Sequence, residues 1–96
     1  MKIEIKKENG SLNVALEGRL NTVTAPELES AIVANSDGAS SLTIDCCNLE
    51  YVSSAGLRVL LSAHKKMKGK MKLLNVCEIV MEVLEMTGFA DIWEIV

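Results

Sequence analysis

Two adjacent serines, Ser53 and Ser54, stand in the segment Leu49-Glu50-Tyr51-Val52-Ser53-Ser54-Ala55-Gly56-Leu57, just ahead of the clearest helical periodicity in the chain. A serine at a helix start has two kinds of chemistry open to it. Its hydroxyl can accept one of the four backbone N–H groups left free in the first turn, which contributes about 1 kcal/mol. Alternatively it can carry a phosphate, adding about two negative charges at the positive end of the helix dipole, where they are best tolerated. Spacing alone leaves both open.

The rest of the chemical inventory is thin. His64 is the one histidine and lies ten residues beyond Ser54 on the same helix, about 15 Å along its axis. That separation, with no Gly-x-Ser-x-Gly elbow, excludes serine-hydrolase chemistry, and His64 is expected as a half-buried residue with its polar edge in water. Asp45, at a strand end without an acidic cluster, reads as a loop-capping acid rather than a metal ligand. Cys46, Cys47 and Cys77 match neither a disulfide framework nor a Cys-x-x-Cys metal site, so reduced, mostly packed thiols are expected. Lys65, Lys66, Lys68, Lys70 and Lys72 read as a solvated helix end, and Trp93, Met81 and Met86 equally as core or as the edge of a partner surface. No catalytic residue, metal ligand or cofactor is assigned.

These groups must be positioned by a small frame. The 96 residues are 49% hydrophobic, enough to build a core without disulfides or metal, so one domain over residues 1–96 is expected. A net charge of -3 argues against general affinity for nucleic acid or anionic membrane. Apolar runs such as Val59–Leu61 are too short for membrane insertion, and the charged start Met1-Lys2-Ile3-Glu4 lacks a signal peptide's apolar segment, so a cytoplasmic protein is expected.

Ile3 and Ile5, then Leu12, Val14 and Leu16, alternate with mostly polar residues on either side of Asn9-Gly10, which predicts a hairpin. Thr24-Ala25-Pro26-Glu27 predicts a helix start with Thr24 as cap and Glu27 reaching back, followed by Leu28, Ala31 and Ile32 inward and a stop before Asp37-Gly38. Leu42–Cys46 reads as a buried strand, after which a loop leads to Ser53. From Ser54 the period is 3.6, with Leu57, Leu60, Leu61, His64 and Met67 on one face. A strand over Met71–Val76 and a helix over Cys77–Thr87 follow, the helix turning Ile79, Val80, Val83 and Leu84 inward. Gly88 should end it with Phe89 packed back on Leu84, and a short strand over Ile92–Ile95 closes the chain. The order ββαβαβαβ predicts an α/β fold, a mixed sheet covered by helices through right-handed crossovers.

Three blocks, Gly18–Leu28, Leu42–Asp45 with Leu49–Leu61, and Val80 through Leu84 to Gly88-Phe89, resemble successive signatures of the STAS domain. More narrowly they resemble the free-standing anti-sigma-factor antagonists of bacteria, the anti-anti-sigma factors, and Ser-Ser-Ala-Gly-Leu-Arg is the most specific part. The resemblance implies a non-enzymatic regulator of transcription that works by partner switching. Such a protein binds an anti-sigma factor that is also a serine kinase, which frees a sigma factor. The kinase phosphorylates a serine at the helix start and lets go, and a PP2C-type phosphatase removes the mark.

Matched residue by residue, the resemblance puts the phosphoacceptor on Ser54, because small Ala55 and then Gly56-Leu57 follow it. It implies a partner-binding surface of Asn21, Thr22, Ser53, Ser54, Ala55, Gly56, Leu57 and Arg58, with no cofactor, metal, direct nucleic-acid contact or membrane insertion. Asn21 and Ser53 stand where the family usually has aspartates, so two negative charges expected near the switch are absent. The other role within this fold is an accessory subunit of a phospholipid-transport ATPase or signalling assembly, using the same helix surface without a phosphorylation cycle.

Overall fold

β1 (Lys2–Glu8) and β2 (Ser11–Leu20) form the expected antiparallel hairpin. Asn9 and Gly10 turn it with φ of 49° and 81°, the pair of left-handed residues that a two-residue hairpin turn requires. The computed structural model describes residues 1–96. Beyond β2 come α1 (Ala25–Asn35), β3 (Ser41–Val52), α2 (Ser54–Lys66), β4 (Met71–Leu74), α3 (Glu78–Thr87), a 3-10 turn over Phe89–Asp91 and β5 (Glu94–Ile95).

The sheet has the order β1-β2-β3-β4-β5, with the first pair antiparallel and the other three parallel. All three crossovers step the same way across the sheet, so right-handed connections place all three helices on one face. The mixed α/β sheet is thus as the element order predicts. Between the layers lie Leu12, Val14 and Leu16 of β2, Ile44 of β3, Leu73 of β4, Leu28 of α1, Leu60 of α2 and Leu84 of α3, all buried. The other face is polar: Ser11 stands beside Ser41, Asn13 beside Thr43, Thr43 beside Lys72.

Several expectations are corrected. The chain does not leave the sheet after Cys46, because β3 runs on to Val52. Ala15 pairs with Asp45 and Glu17 with Asn48, so Cys46 and Cys47 together oppose Leu16; Gly18 then pairs with Leu49 and Arg19 with Tyr51, leaving Glu50 extra. Each bulge breaks the in-out alternation by which a strand is recognised in sequence. β4 ends at Leu74 rather than Val76, and β5 is only Glu94–Ile95.

The helix faces also differ in detail. α2 buries Val59 and Ala63 besides Leu57 and Leu60, Met67 is buried just past its end, and Leu61 and His64 are half-buried. Val59 and Ala63 share a small cleft with Ile32 and Val33 of α1, so a helix neighbour widens the apolar face. In α3 Val80 and Leu84 are buried, but Ile79 is 59% exposed. Gly88 ends α3 in the left-handed region. Phe89 then stacks on Trp93 with ring centroids 4.5 Å apart. Trp93 belongs to the core and its indole N–H is buried without a partner, whereas Met86 is 87% exposed.

Candidate functional site

β2 and β3 finish side by side. Leu20 pairs with Val52, and the Ser53 N–H donates to the Leu20 carbonyl at 2.8 Å. The loop into α1 and the entry to α2 therefore emerge together at the carboxyl edge of the sheet, where open α/β folds carry their functional groups. Gly56 lets α2 settle onto these strand ends. A β-carbon there would lie 2.6 Å from Leu20 Cγ and 2.9 Å from Val52 Cγ2.

The two serines divide the possible jobs. Ser53 is extended (φ -96°, ψ 175°) and its Oγ accepts the Gly56 N–H at 3.4 Å, so Ser53 is the cap. Ser54 is the first helical residue; it is exposed and its hydroxyl has no hydrogen bond to the chain. The first turn of α2 contains no acidic side chain. Arg58, four residues on and thus on the same face of the helix, is exposed. Ala55 is half-buried, while Gly56 and Leu57 are buried and shape the site from below.

The neighbouring loop is held differently from the expected capping box. Thr24 has helical φ and ψ and its side chain does not cap α1. Asn21 Oδ1 instead accepts the N–H groups of Val23 at 3.0 Å and Thr24 at 3.1 Å. The Asn21 N–H donates to Thr24 Oγ1 at 2.8 Å, and the Thr24 hydroxyl donates to the Arg19 carbonyl at 2.7 Å. Asn21 is half-buried, Thr22 exposed and Val23 79% exposed. Asn21 serves through a carbonyl-type oxygen, which an amide supplies as well as a carboxylate does.

One feature of this edge was not legible in the sequence. Arg19 and Tyr51 are paired in register, and the guanidinium lies 4.6 Å from the ring centroid. Because Leu20 and Val52 are buried in the core, Arg19 and Tyr51 point to the uncovered side of the sheet. The signal was a cation and an aromatic residue on adjacent strands. Their register depends on both bulges.

Elsewhere the side chains play structural parts. Asp45 Oδ1 accepts from the Cys47 N–H at 3.0 Å and from Asn75 Nδ2 at 3.1 Å, tying the first bulge to the end of β4. Burial, with Asp45 and Cys77 nearby, pushes the Cys46 thiol up to about 12, so it is un-ionised and unreactive at neutral pH. Cys47, against expectation, is exposed, and the Cys77 thiol donates to the Leu49 carbonyl at 3.4 Å. His64 is half-buried beside Trp93, with ring centroids 6.5 Å apart. The five lysines from Lys65 to Lys72 are exposed, and the ion pairs of the molecule lie elsewhere, at Lys2–Glu4 and Lys6–Glu8. No group of three or more His, Cys, Asp or Glu could hold a metal ion, and no helix is long and apolar enough to cross a membrane.

This arrangement has counterparts. The chain is 36% identical to BtrV of Bordetella bronchiseptica, over 99% of this chain and 85% of that protein. It is 27% identical to the anti-sigma-B factor antagonist of Bacillus subtilis, over 97% of this chain and 88% of that one. The crystal structure of an anti-sigma factor antagonist from Mycobacterium paratuberculosis superposes with a TM-score of 0.87 at 25% identity, covering 98% of this chain and 83% of that one. Residues 2–96 match the family described as STAS domain, and on the strength of that match and of the fold, the chain belongs to the STAS domain family.

Proposed function

We propose that this protein is a cytoplasmic anti-sigma-factor antagonist, a single binding domain over residues 1–96 that acts without catalysis of its own and is switched by phosphorylation of Ser54. In its unmodified state it holds an anti-sigma factor through Asn21, Thr22 and the first turn of α2 from Ser53 to Arg58, and a sigma factor goes free. The anti-sigma factor is also the kinase that modifies Ser54, and a PP2C-type phosphatase resets the domain.

The observation that carries this reading is the division between the two serines. Ser53 takes the capping bond, so Ser54 can accept a phosphate without costing the helix its cap. At the first residue of α2 a phosphate is favoured by the helix dipole, by about 0.3–1 kcal/mol. In a closed interface the same two charges lose their hydration, which costs several kcal/mol unless the partner supplies compensating groups. A modification that leaves the fold intact therefore breaks the complex. The named antagonists among the relatives support the choice of partner.

The test is incubation with ATP and the anti-sigma factor captured by this protein from its native cell, with mass-spectrometric mapping. Phosphate on Ser54 alone is expected. No phosphate, or phosphate elsewhere, overturns the switch. Ser54→Asp should weaken kinase binding more than tenfold, about 1.4 kcal/mol, at unchanged Tm; unaltered affinity would count against it.

A further inference from the structure

We infer that the outer edge of β1 is a self-recognition strand, which joins a second copy of this chain in antiparallel register about Ile5 to make one continuous sheet. β1 is the first strand in the order of the sheet, so one of its edges has no neighbour. An open edge of seven residues presents unpaired N–H and C=O groups that another strand can use.

Which groups are free follows from the hairpin. A two-residue turn is closed by a hydrogen-bonded pair, here Glu8 with Ser11, and such pairs alternate along an antiparallel ladder. Lys2, Glu4, Lys6 and Glu8 therefore turn their backbone groups to β2, while Ile3, Ile5 and Lys7 turn theirs outward. A dyad through Ile5 sets Ile5 against its own copy and Ile3 against Lys7, so every free N–H meets a free C=O. Ile3 and Ile5 are half-buried against the core at this edge, and the second copy would complete their burial. The Lys7 ammonium already has a partner in the Asp37 carbonyl.

The charges choose the occupant and the register. On the polar face β1 reads Lys2, Glu4, Lys6, Glu8, with ion pairs Lys2–Glu4 at 3.3 Å and Lys6–Glu8 at 2.9 Å. Across the dyad Lys2 meets Glu8 and Glu4 meets Lys6, each twice, at the non-hydrogen-bonded positions where side chains approach most closely. A slip of two residues either way puts Glu4 or Lys6 opposite itself, and parallel pairing in register sets every charge against its like. Lysines alone would guard the edge, whereas an alternation that complements its own reverse selects a second copy. The dyad sends the two Ser54 residues to opposite ends of the joined sheet, leaving both open.

The experiment is sedimentation equilibrium of the full chain at low salt, with Tm, for wild type, Glu4→Lys, Lys6→Glu, the two single variants mixed, and the doubly exchanged Glu4→Lys/Lys6→Glu. Wild type should dimerise, and raising salt to about 0.5 M should weaken the dimer severalfold. Each single variant should raise the dimer Kd tenfold or more at wild-type Tm, because it sets two like pairs across the dyad. The mixture and the double variant restore opposite charges at every position and should recover the wild-type Kd to within threefold. Amide exchange in β1 should slow with concentration at Ile3, Ile5 and Lys7. A wild type still monomeric at about 1 mM, the weak end of specific association, overturns the proposal and leaves the charges as a guard on the edge. A dimer that both single variants form as tightly as wild type, or whose mixture fails to recover, lies on another surface and overturns it equally.

Discussion

Gly56 and Leu20 approach so closely that a single β-carbon on the glycine would stand 2.6 Å from Leu20 Cγ. Leu20 is fully buried and Val52 crowds the same spot, so neither can yield cheaply. Gly56→Ala should therefore destabilise the fold by about 1–3 kcal/mol, despite alanine's better helix propensity. Urea denaturation checks this. An unchanged or raised midpoint would mean that α2 can move away from the strands freely.

Ser53 and Ser54 should separate cleanly in the same assay. Ser53→Ala removes the cap and should cost about 0.5–1 kcal/mol, at the low end because the bond is long. Ser54→Ala should change stability by less than about 0.5 kcal/mol while abolishing phosphate incorporation. Equal stability losses in the two would place Ser54 in a structural role.

Asn21 works through its side-chain oxygen. Asn21→Asp should keep the loop and the Tm, since a carboxylate accepts the same two N–H groups. Asn21→Ala should lose about 1 kcal/mol and raise hydrogen exchange at Val23 and Thr24. Protected amides at both positions in Asn21→Ala would show that Thr24 alone holds the loop.

Trp93 carries a buried indole N–H with no partner. Removing that donor while keeping the stack on Phe89 should offset much of the lost volume, so Trp93→Phe should cost under about 1.5 kcal/mol. Trp93→Ala should cost about 3–5 kcal/mol. Thermal denaturation of the pair decides it: similar losses in both variants would mean that the indole nitrogen has a partner.

Cys46 gives the molecule an alkaline limit. Its thiol stands raised to about 12 in the fold, against 9.0 for an unhindered thiol. The unfolded chain therefore loses this proton first. Stability from the neutral thiol is complete below pH 9 and is lost as pH rises from 9 towards 12. Between pH 8 and pH 10.5, wild type should lose more unfolding free energy than Cys46→Ala; parallel profiles would contradict it. At pH 8 iodoacetamide should label exposed Cys47 well before Cys46.

Much of this molecule was legible from residue spacing, and the failures share a cause. The hairpin at Asn9-Gly10 and a serine cap on α2 depend on local chemistry, which sequence carries directly, but the choice of Ser53 over Ser54 as the cap follows from the extended backbone at Ser53. Thr24 does not cap α1 because its hydroxyl is taken up by the Asn21 N–H and the Arg19 carbonyl, while Asn21 Oδ1 accepts the N–H groups of Val23 and Thr24. Val59 and Ala63 were missed because α1 packs against them, and Ile79 because nothing covers it. The far half of β3 was hidden by its two bulges, and with it the stack of Arg19 on Tyr51.

Those bulges also act as a phase correction. β2 spends ten residues and β3 twelve in reaching ends that meet at Leu20 and Val52. One surplus residue would invert Val52 and carry Ser54 round to the wrong side of the strand end; two restore the frame. Deleting Glu50 alone should therefore harm both the fold and the switch more than deleting Cys47 and Glu50 together. The position of Ser54 is governed by the parity of a count made several residues upstream.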